Sequence, residues 1–508
     1  MLINIVESAE VRIAIVKGKK LESFFLERTE KKQKRGNIYK GIVKNVEEGI
    51  QGAFVDIGNS RNGFLHISDV IFPDGGYNGI LRKPRKWKKK EVSPSRAKIS
   101  DVLREGQEVL VQITREEIES KGPSLTTYLS LPGRYLVLTP ESERVGVSRK
   151  IKDPKLRSEL KAKACKLRCM KNTGIIIRTA GKDQTQEKLN ADHKYLNRLW
   201  REIRRKTKKA KAPALVYEEA NLITRTIRDY FTDDVSEMLI DSREGFEEAK
   251  RFVSSVMPNV QKRLRLYDEN QSLFDKYGIE KQIGDTFNRI VTLDNGGYLI
   301  IEQTSACVTI DVNSGKFKDK DSETTSFKVN MCAVDEVCRQ LRLRDLGGIV
   351  IVDFIDMEKS EHRKAVERKM KKNMKEDKCK VQVVPITQLG IMEMTRQRMH
   401  DSIKRSIYDK CPTCNGTGMI KSMDTIAIEF RRIIRKCLGS QNAAVLETRL
   451  NPMSASYVSN KARAMIARIE SENDIEILIG GDPNLSLDEI KIHIKDKNGK
   501  TIKDMHIR

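Results

Sequence analysis

The chain has 508 residues, more than a single hydrophobic core usually accommodates, so several domains are expected. Lysine and arginine number 96 against 71 aspartates and glutamates, which gives a net charge of +25 at pH 7. This excess favours a polyanionic partner, although any single basic run is equally compatible with a solvated surface. No apolar stretch approaches the ~18 to 20 residues of a transmembrane segment, so nucleic acid is favoured over a membrane.

The N-terminal residues predict two strands, over 2–16 and 20–27, joined by a turn at Lys17-Gly18. Charged residues such as Glu7 and Glu10 interrupt the short apolar runs, so the segment lacks the continuous apolar core of a signal peptide. We therefore expect a cytoplasmic protein. Nine cysteines at low density exclude a disulfide framework.

The next part of the chain is predicted to form a small β-barrel, because short β-rich segments are broken repeatedly by glycine. A basic, turn-rich insertion over about 73–99 interrupts this pattern and is predicted to be a flexible loop. A second β-rich unit begins near Ser124. Lysine-rich helices are predicted over 151–170 and 184–211, on either side of the apolar strand in GIIIRTAG.

The segment 287–400 has the most regular α/β pattern. In ACVTIDVNSGKF, strand alternation places Asp311 and Asn313 on the same face. A helix from about Phe327 to Leu346 follows, and then the strand IVIVDFIDM, so the unit predicts a parallel pair of strands with a crossover helix. Asp311 and Asp353 are therefore expected at the same carboxyl edge of the sheet, where ligands of open α/β sheets bind.

Two carboxylates with a nearby amide offer hard oxygen ligands, which suit magnesium or manganese. Such an ion can activate water and stabilise charge on a phosphate. The alternative is that the two acids merely end their strands. Asp356 is a weaker candidate, because alternation along DFID would place it opposite Asp353. Asp345 is predicted to form an ion pair at the end of the helix.

Cys411 and Cys414, in CPTCNGTG, have the spacing at which two thiolates bind one zinc. Zinc requires four ligands, and the chain has no second CxxC motif. The pair is therefore half of a zinc site shared between molecules, a redox pair or an inert turn. After this pair, the spacing of apolar residues predicts an amphipathic helix over 424–438 and then a small α/β unit.

The block TIDVNS followed by RQLRLRDLGGIVIVDFIDM resembles the catalytic signature of the RNase E/G family. The resemblance implies that Asp311 and Asp353 bind catalytic Mg²⁺ and that Asn313 helps to hold the scissile phosphate or a water on the metal. It also implies a multidomain α/β and β fold. The implied domains are a split RNase H-like domain (1–35 and 223–286), an OB-fold RNA-binding barrel (36–125), a 5′-sensor domain (126–222), a DNase I-like catalytic domain (287–408), a zinc-link (409–419) and a small C-terminal α/β domain (420–508).

The same resemblance assigns RNA-binding roles to residues outside the carboxylate site. Phe54, Phe64 and Lys121 correspond to RNA-facing positions of the barrel, although Phe54 would equally suit its core. Arg178 and Thr179 correspond to the residues that grip a 5′-monophosphate. Val137 corresponds to a residue beside the terminal base, or it belongs to the core.

For the cysteines, the resemblance implies one Zn²⁺ held by Cys411 and Cys414 of two protomers, and hence a homodimer that is in turn able to form a homotetramer. The resemblance reaches about residue 420, and the layout without a long C-terminal scaffold is closer to RNase G than to RNase E. It implies a single-strand-specific endoribonuclease that leaves a 5′-phosphate and acts on rRNA and tRNA precursors and on mRNA. The rival interpretations are a noncatalytic RNA-binding platform and a DNA nuclease.

Overall fold

The structure is a computed structural model, and it describes residues 1–6, 9–28, 33–71, 98–117, 122–140, 142, 145–167, 173–304, 306–375, 377–397, 407–409, 411–414, 416–438 and 443–507. The chain divides into two compact units, Met1–Ile403 and Lys404–Arg508. Of the helices that the structure describes, none combines the length and the apolar character needed to cross a membrane.

Three strands open the first unit, where two were predicted. They are β1 (Leu2–Val6), β2 (Glu10–Lys17) and β3 (Lys20–Arg28). The predicted hairpin is present, since Lys17 pairs with Lys20. The prediction of one strand over 2–16 was wrong, because β1 and β2 are antiparallel and the chain reverses between them.

A small closed barrel follows. It is built from β4 (Ile38–Glu47), β5 (Gly52–Asp56), β6 (Gly63–His66), the short helix α1 (Ile99–Val102), β7 (Glu108–Arg115) and β8 (Ser124–Thr126). The strand order is β4-β5-β6-β8-β7, and β7 pairs back with β4, which closes the barrel. Val43, Val55 and Leu65 fill its interior. Residues 72–97, which include most of the predicted basic insertion, lie outside the described residues.

The next sheet contains β9 (Leu131–Pro132), β10 (Leu136–Pro140), β11 (Val145–Val147) and β12 (Thr173–Ile177), in the order β11-β12-β10-β9. Two helices accompany it, α2 (Pro154–Cys165) and α3 (Gln186–Lys209), which confirms the two predicted lysine-rich helices. Leu189, Leu196 and Trp200 bury one face of α3 in the core of this sheet.

The chain then returns to the earlier sheets. This segment contains β13 (Ala214–Tyr217), α4 (Leu222–Tyr230), β14 (Met238–Ile240), α5 (Arg243–Val256), β15 (Leu264–Leu266), α6 (Leu273–Lys276) and α7 (Ile279–Thr286). Strand β13 pairs with β4 at the side of the barrel. Strand β14 lies between β1 and β15 and is parallel to both, so residues more than 200 positions apart share one sheet.

The last sheet of the first unit contains β16 (Ile290–Thr292), β17 (Tyr298–Gln303), β18 (Cys307–Asn313), α8 (Ser322–Leu343), β19 (Gly348–Asp353), α9 (Ser360–Met374), β20 (Val381–Val383) and β21 (Ile391–Arg396). Its order is β16-β17-β18-β19-β21-β20. As predicted, β18 and β19 are parallel and joined through a helix. That helix begins earlier than predicted, because the Asp321 side chain accepts a hydrogen bond from the Thr324 backbone N–H at 2.7 Å and caps it.

The second unit contains α10 (Met423–Cys437), β22 (Val445–Leu450), α11 (Pro452–Lys461), α12 (Arg463–Asn473), β23 (Glu476–Gly481), β24 (Ile490–Lys495) and β25 (Thr501–Ile507). The sheet order is β23-β22-β24-β25. Helix α10 confirms the predicted amphipathic helix, since Ile426, Phe430 and Ile434 are buried against the sheet.

Candidate active site and RNA-binding surfaces

Asp311 and Asp353 are direct neighbours across the parallel pair β18 and β19. Both are exposed, at the carboxyl ends of their strands, while the preceding residues Ile310 and Val352 are buried. Asn313 lies on the same face, and its side-chain amide donates a hydrogen bond to Asp311 Oδ2 at 2.9 Å. The structure thus brings together the three residues that sequence analysis selected.

The electrostatic environment of these carboxylates is unfavourable to a second negative charge. Burial raises the pKa of Asp353 above the ordinary aspartate value, and the charges of Asp311 and Asp356 raise it further. Within the described residues, no group of three or more His, Cys, Asp and Glu side chains is arranged to hold a metal ion. A cation here would therefore take protein ligands from two carboxylates and an amide, and the rest from water or substrate.

Asp356 acts on Asp353 in a way that the sequence argument did not anticipate. Alternation along DFID was taken to place the two acids on opposite faces. Strand β19 ends at Asp353, however, so Asp356 belongs to the loop that follows, and its charge reaches Asp353. Alternation describes extended backbone only and does not carry into a loop.

Two α8 side chains that sequence analysis missed hold this loop in place. Asn330 has no exposed surface, and its amide donates to the Ile355 carbonyl at 2.7 Å and accepts from the Ile355 N–H at 3.1 Å. Glu323 accepts from the backbone N–H groups of Glu358 and Lys359, just before α9 begins. An asparagine on the buried face of a helix was the available signal, because a buried amide needs partners.

The barrel presents two aromatic rings on its outer face. Phe54 on β5 and Phe64 on β6 are register partners with ring centroids 5.7 Å apart, and both are half-exposed. Their neighbours Val55 and Leu65 point into the barrel, so Phe54 is not a core residue. His66 extends the row, with its ring 6.4 Å from Phe64, and was missed by sequence analysis. Lys121 lies outside the described residues.

Arg178, directly after β12, is held by two polar contacts. Its guanidinium lies 2.7 Å from an Asp229 carboxylate oxygen and donates to the Gly133 carbonyl at 2.5 Å. The Asp229 carboxylate also forms an ion pair with the Arg228 guanidinium, at 3.2 Å. Burial alone would raise the pKa of Asp229, but the two guanidinium groups lower it below the ordinary value. Sequence analysis selected Arg178 but not the carboxylate that positions it.

Thr179 and Val137 lie close to Arg178. The Thr179 hydroxyl is exposed and is 3.3 Å from the Ser148 hydroxyl. Val137 is half-buried on β10 and pairs with Ile176, two residues before Arg178 on the same face. Its partial exposure distinguishes it from its neighbours Leu136 and Leu138, which are fully buried.

Two lysines join this region to the last sheet of the first unit. The Lys150 ammonium donates to the backbone carbonyls of Asp377, Lys378 and Cys379. In the other direction, the Lys378 ammonium donates to the Asp229 carbonyl and lies 3.1 Å from the centre of the Tyr230 ring. Burial of the ammonium lowers the pKa of Lys378 to about 7, although Asp229 acts in the opposite sense. We call these contacts the lysine clasp.

A buried ion-pair network also ties the segment 377–379 to the sheet that carries Asp311 and Asp353. Arg396 lies 2.9 Å from both Asp345 and Asp377 and is almost fully buried. This confirms that Asp345 forms an ion pair at the end of α8. The cation is Arg396 of β21 and not the adjacent Arg344.

In the second unit, Cys411 and Cys414 lie in a compact turn. Backbone N–H groups of Cys414 and Thr413 donate to the Cys411 sulfur and lower the pKa of its thiol below the ordinary cysteine value. Cys411 is exposed and Cys414 is partly exposed. The exposed Cys411 thiol is therefore accessible to a metal ion, which binds the thiolate form.

Comparisons with known proteins find matching families along most of the chain. A family model described as "Ribonuclease E/G family" matches residues 130–399. A model for the S1 RNA binding domain matches 32–127, which confirms the predicted RNA-binding barrel. A model for the "RNase E/G, Thioredoxin-like domain" matches 410–496, so the similarity extends well beyond residue 420.

Individual relatives are similar along most of this chain. Ribonuclease G of Haemophilus influenzae is 38% identical over 91% of this chain and 92% of its own length. Ribonuclease G of Escherichia coli K12 is 34% identical over 92% of this chain and 94% of its own length. Ribonuclease E of Haemophilus influenzae is 37% identical over 96% of this chain. The chain spans about half the length of the ribonuclease E relatives, 51% in this case.

Proposed function

Because this chain belongs to the ribonuclease E/G family, we propose that it is an endoribonuclease that cuts single-stranded RNA internally by magnesium-dependent hydrolysis. The observation that carries the proposal is the register pairing of Asp311 with Asp353, with Asn313 bound to Asp311. The proposed substrates are rRNA and tRNA precursors and mRNA in the cytoplasm, cut to leave a 5′-phosphate and a 3′-hydroxyl.

The residues at the strand ends fit a magnesium ion. Mg²⁺ prefers oxygen ligands and retains several waters, so one or two carboxylates are sufficient protein ligands. Asp311 and Asp353 would hold it, and a cation between them would offset the repulsion that raises the pKa of Asp353. When bound, magnesium supplies a Lewis acid that activates water and stabilises charge on the phosphate. Asn313 orients the Asp311 carboxylate and lies where it is able to position the scissile phosphate.

The RNA would be held by groups outside this site. Phe54 and Phe64 offer exposed rings on which bases stack, which binds single strands without strict sequence preference. Arg178 and Thr179 would bind a 5′-monophosphate, with Val137 beside the terminal base. Arginine has five N–H donors, so the contacts of Arg178 with Asp229 and Gly133 still leave donors for a phosphate.

Within the same proposal, the sheet of β1 and β14 is the split RNase H-like domain and the sheet of β18 and β19 is the DNase I-like catalytic domain. Cys411 and Cys414 would supply two thiolates to a Zn²⁺ whose other two ligands come from a second copy of the chain. The support is the turn itself, in which backbone N–H groups lower the pKa of the Cys411 thiol and both cysteines are at least partly exposed. This zinc-link would make the enzyme a homodimer, and two such dimers would pair to form a homotetramer.

The proposal is tested by cleavage of a 5′-monophosphorylated, A/U-rich single-stranded RNA in magnesium. Asp311→Asn and Asp353→Asn are compared with the intact protein, and RNA binding is measured in parallel. Asp268→Asn, on an exposed loop of the first unit, is the matched control for loss of one carboxylate. We expect the two site variants to bind RNA normally and to lose at least about 100-fold in cleavage rate, as expected when transition-state charge stabilisation is removed.

The rival functions predict different outcomes. If the intact protein binds RNA but does not cut it in magnesium or manganese, the noncatalytic platform is correct and the catalytic assignments fall. If it cuts single-stranded DNA as well as RNA, the nuclease is not specific for RNA. If Asp268→Asn loses as much activity as the site variants, the effect is not specific to the register pair.

A further inference from the structure

Five cations follow one exposed face of helix α3. They are Lys194, Arg198, Arg201, Arg205 and Lys208, which we call the α3 stripe. Their spacing alternates between four and three residues, which places them on one side of a helix. On the opposite side of α3, Leu196, Trp200 and Ile203 are buried, so the cations of the stripe face solvent.

Between Lys194 and Lys208, helix α3 carries one acidic residue, the exposed Glu202. In the part of the chain that the structure describes, none of the five cations forms an ion pair with a carboxylate. Cations stabilise a helix in its last turn, but Lys194, Arg198 and Arg201 lie two or more turns before the end of α3 at Lys209. Like charges four residues apart destabilise a helix by about 0.2 to 0.5 kcal/mol per pair. Helix stability therefore does not explain this row of cations.

The stripe continues onto the neighbouring helix α5. The Arg198 guanidinium donates to the Ser255 hydroxyl at 3.5 Å, and the Tyr195 and Phe252 rings make an edge contact between the helices at 6.4 Å. Beyond Ser255 lies an open cavity of about 450 Å³. Its lining is Glu247, Lys250, Arg251, Ser254 and Ser255, with Glu247 3.9 Å from Lys250.

We propose that the α3 stripe and the adjoining α5 cavity bind the phosphate backbone of RNA at a distance from the cleavage site. Arginine, lysine and serine are the side chains that contact phosphates, and all three occur here. From Lys194 to Lys208 the helix rises about 21 Å, at 1.5 Å per residue. That length matches about six phosphates along one strand of a nucleic-acid helix.

Other anions fit the surface less well. A helix that binds a membrane surface carries large apolar residues beside its cations, whereas the exposed positions next to the stripe include Asn190, Ala191 and Glu202. Binding to an acidic protein remains a defined outcome of the test. The surface lies outside both the barrel and the carboxylate pair, so the proposal concerns binding alone and does not depend on the proposed cleavage reaction.

The test compares Arg198→Gln/Arg201→Gln/Arg205→Gln with Arg432→Gln/Arg435→Gln/Lys436→Gln. The second triple removes the same charge from exposed positions on α10 in the other unit. Binding of 5′-hydroxyl RNAs of about 10 and about 60 nucleotides is measured by fluorescence anisotropy in EDTA, over a range of KCl. We expect the α3 triple to bind the long RNA about tenfold more weakly. The slope of log affinity against log KCl concentration should be less steep by about 2, because each lost phosphate contact reduces this slope by about 0.7 to 0.9. The short RNA should bind as before.

Three outcomes would overturn the proposal. If the two triples have the same effect, RNA binding depends only on the net charge of the protein. If binding of the long RNA is unchanged, the α3 stripe does not bind RNA and instead contacts an acidic protein or solvent. An equal loss for the short RNA would indicate damage to the fold, which a thermal unfolding scan of the triple checks directly. Retention of cleavage by the α3 triple on a short substrate separates this result from failure of the proposed function.

Discussion

Asn330 shows how one buried side chain is able to determine the shape of a candidate active site. It is fully buried on α8, yet both of its hydrogen bonds go to the backbone of Ile355, in the loop between Asp353 and Asp356. A backbone N–H or C=O left without a partner in a buried position costs about 1 to 3 kcal/mol. Asn330 is therefore a positioning residue for the loop that directly follows Asp353 and carries Asp356.

We expect Asn330→Ala to lower kcat for RNA cleavage by about 10- to 100-fold, the effect of misplacing a group by about 1 Å. KM for RNA should change little, and the magnesium concentration for half-maximal activity should rise. Val337→Ala is the control, because Val337 is also fully buried on α8 but is two turns further along the helix. If Val337→Ala loses kcat to the same extent at equal loss of stability, Asn330 has only a structural role.

Asp229 is the corresponding positioning residue for Arg178. In Asp229→Ala, Arg178 loses its ion pair and lies near Arg228 without the carboxylate that both share. We expect the preference for 5′-monophosphorylated over 5′-hydroxyl RNA to fall several-fold, measured as the ratio of cleavage rates. Glu219→Ala is the matched control, since among the described residues Glu219 forms an ion pair with Arg228 and not with Arg178. If Asp229→Ala keeps the preference for 5′-monophosphorylated RNA, the assignment of Arg178 to the 5′-end site is wrong.

At the scale of elements, strand pairing decides which side chains meet. Strands β18 and β19 are parallel, so Asp353 at the end of β19 lies beside Asp311, two residues before the end of β18. Strands β5 and β6 are antiparallel, and their pairing places Phe54 opposite Phe64 on the outer face of the barrel. Gly52 allows this arrangement, because a Cβ atom there would lie 2.3 Å from the Phe64 ring.

Substitution of these rings tests the barrel as an RNA-binding surface. We expect Phe54→Ala and Phe64→Ala each to weaken binding of single-stranded RNA by about 5- to 150-fold, from about 1 to 3 kcal/mol per stacked base. Leu215→Ala is the control, because Leu215 is an exposed apolar residue on β13 at the side of the same barrel. Anisotropy titrations in EDTA measure the affinity. Equal weakening by all three substitutions would contradict a specific stacking role.

At the scale of the molecule, the first unit is held together by contacts between distant parts of the chain. The lysine clasp joins the region of Arg178 to the segment 377–379, and Asp377 in turn pairs with Arg396 on β21. Contacts of this kind connect the proposed 5′-end site to the sheet that carries Asp353. The second unit has its own core, formed by α10 and the sheet of β22 and β24.

The cysteine turn makes a prediction about the assembled protein. Native mass spectrometry should show a dimer with about half a zinc per chain, because a four-thiolate site takes two cysteines from each copy. Cys411→Ser/Cys414→Ser and treatment with a zinc chelator should both remove the metal and yield monomers. Cys165→Ser, which replaces an exposed cysteine of the first unit, should leave the dimer intact. A dimer that persists without metal would refute the zinc-link.

Part of this protein was predictable because the relevant signals are local. Alternation placed Asp311 and Asn313 on one face, and the strand-helix-strand pattern predicted that Asp353 would come to the same edge. Helical periodicity likewise predicted α10. These inferences succeeded because the period of an element and the direction of a crossover depend on residues close together in the chain.

The tertiary structure alone decided the rest. It showed that β1 pairs with β14, that β7 closes the barrel on β4, and that Asp229 holds Arg178. It also placed Asp356 in a loop near Asp353, where alternation had failed. The physical reason is the same in each case. A hydrogen bond or ion pair between residues tens to hundreds of positions apart leaves no periodic trace in sequence, because its partner is set by how the elements pack.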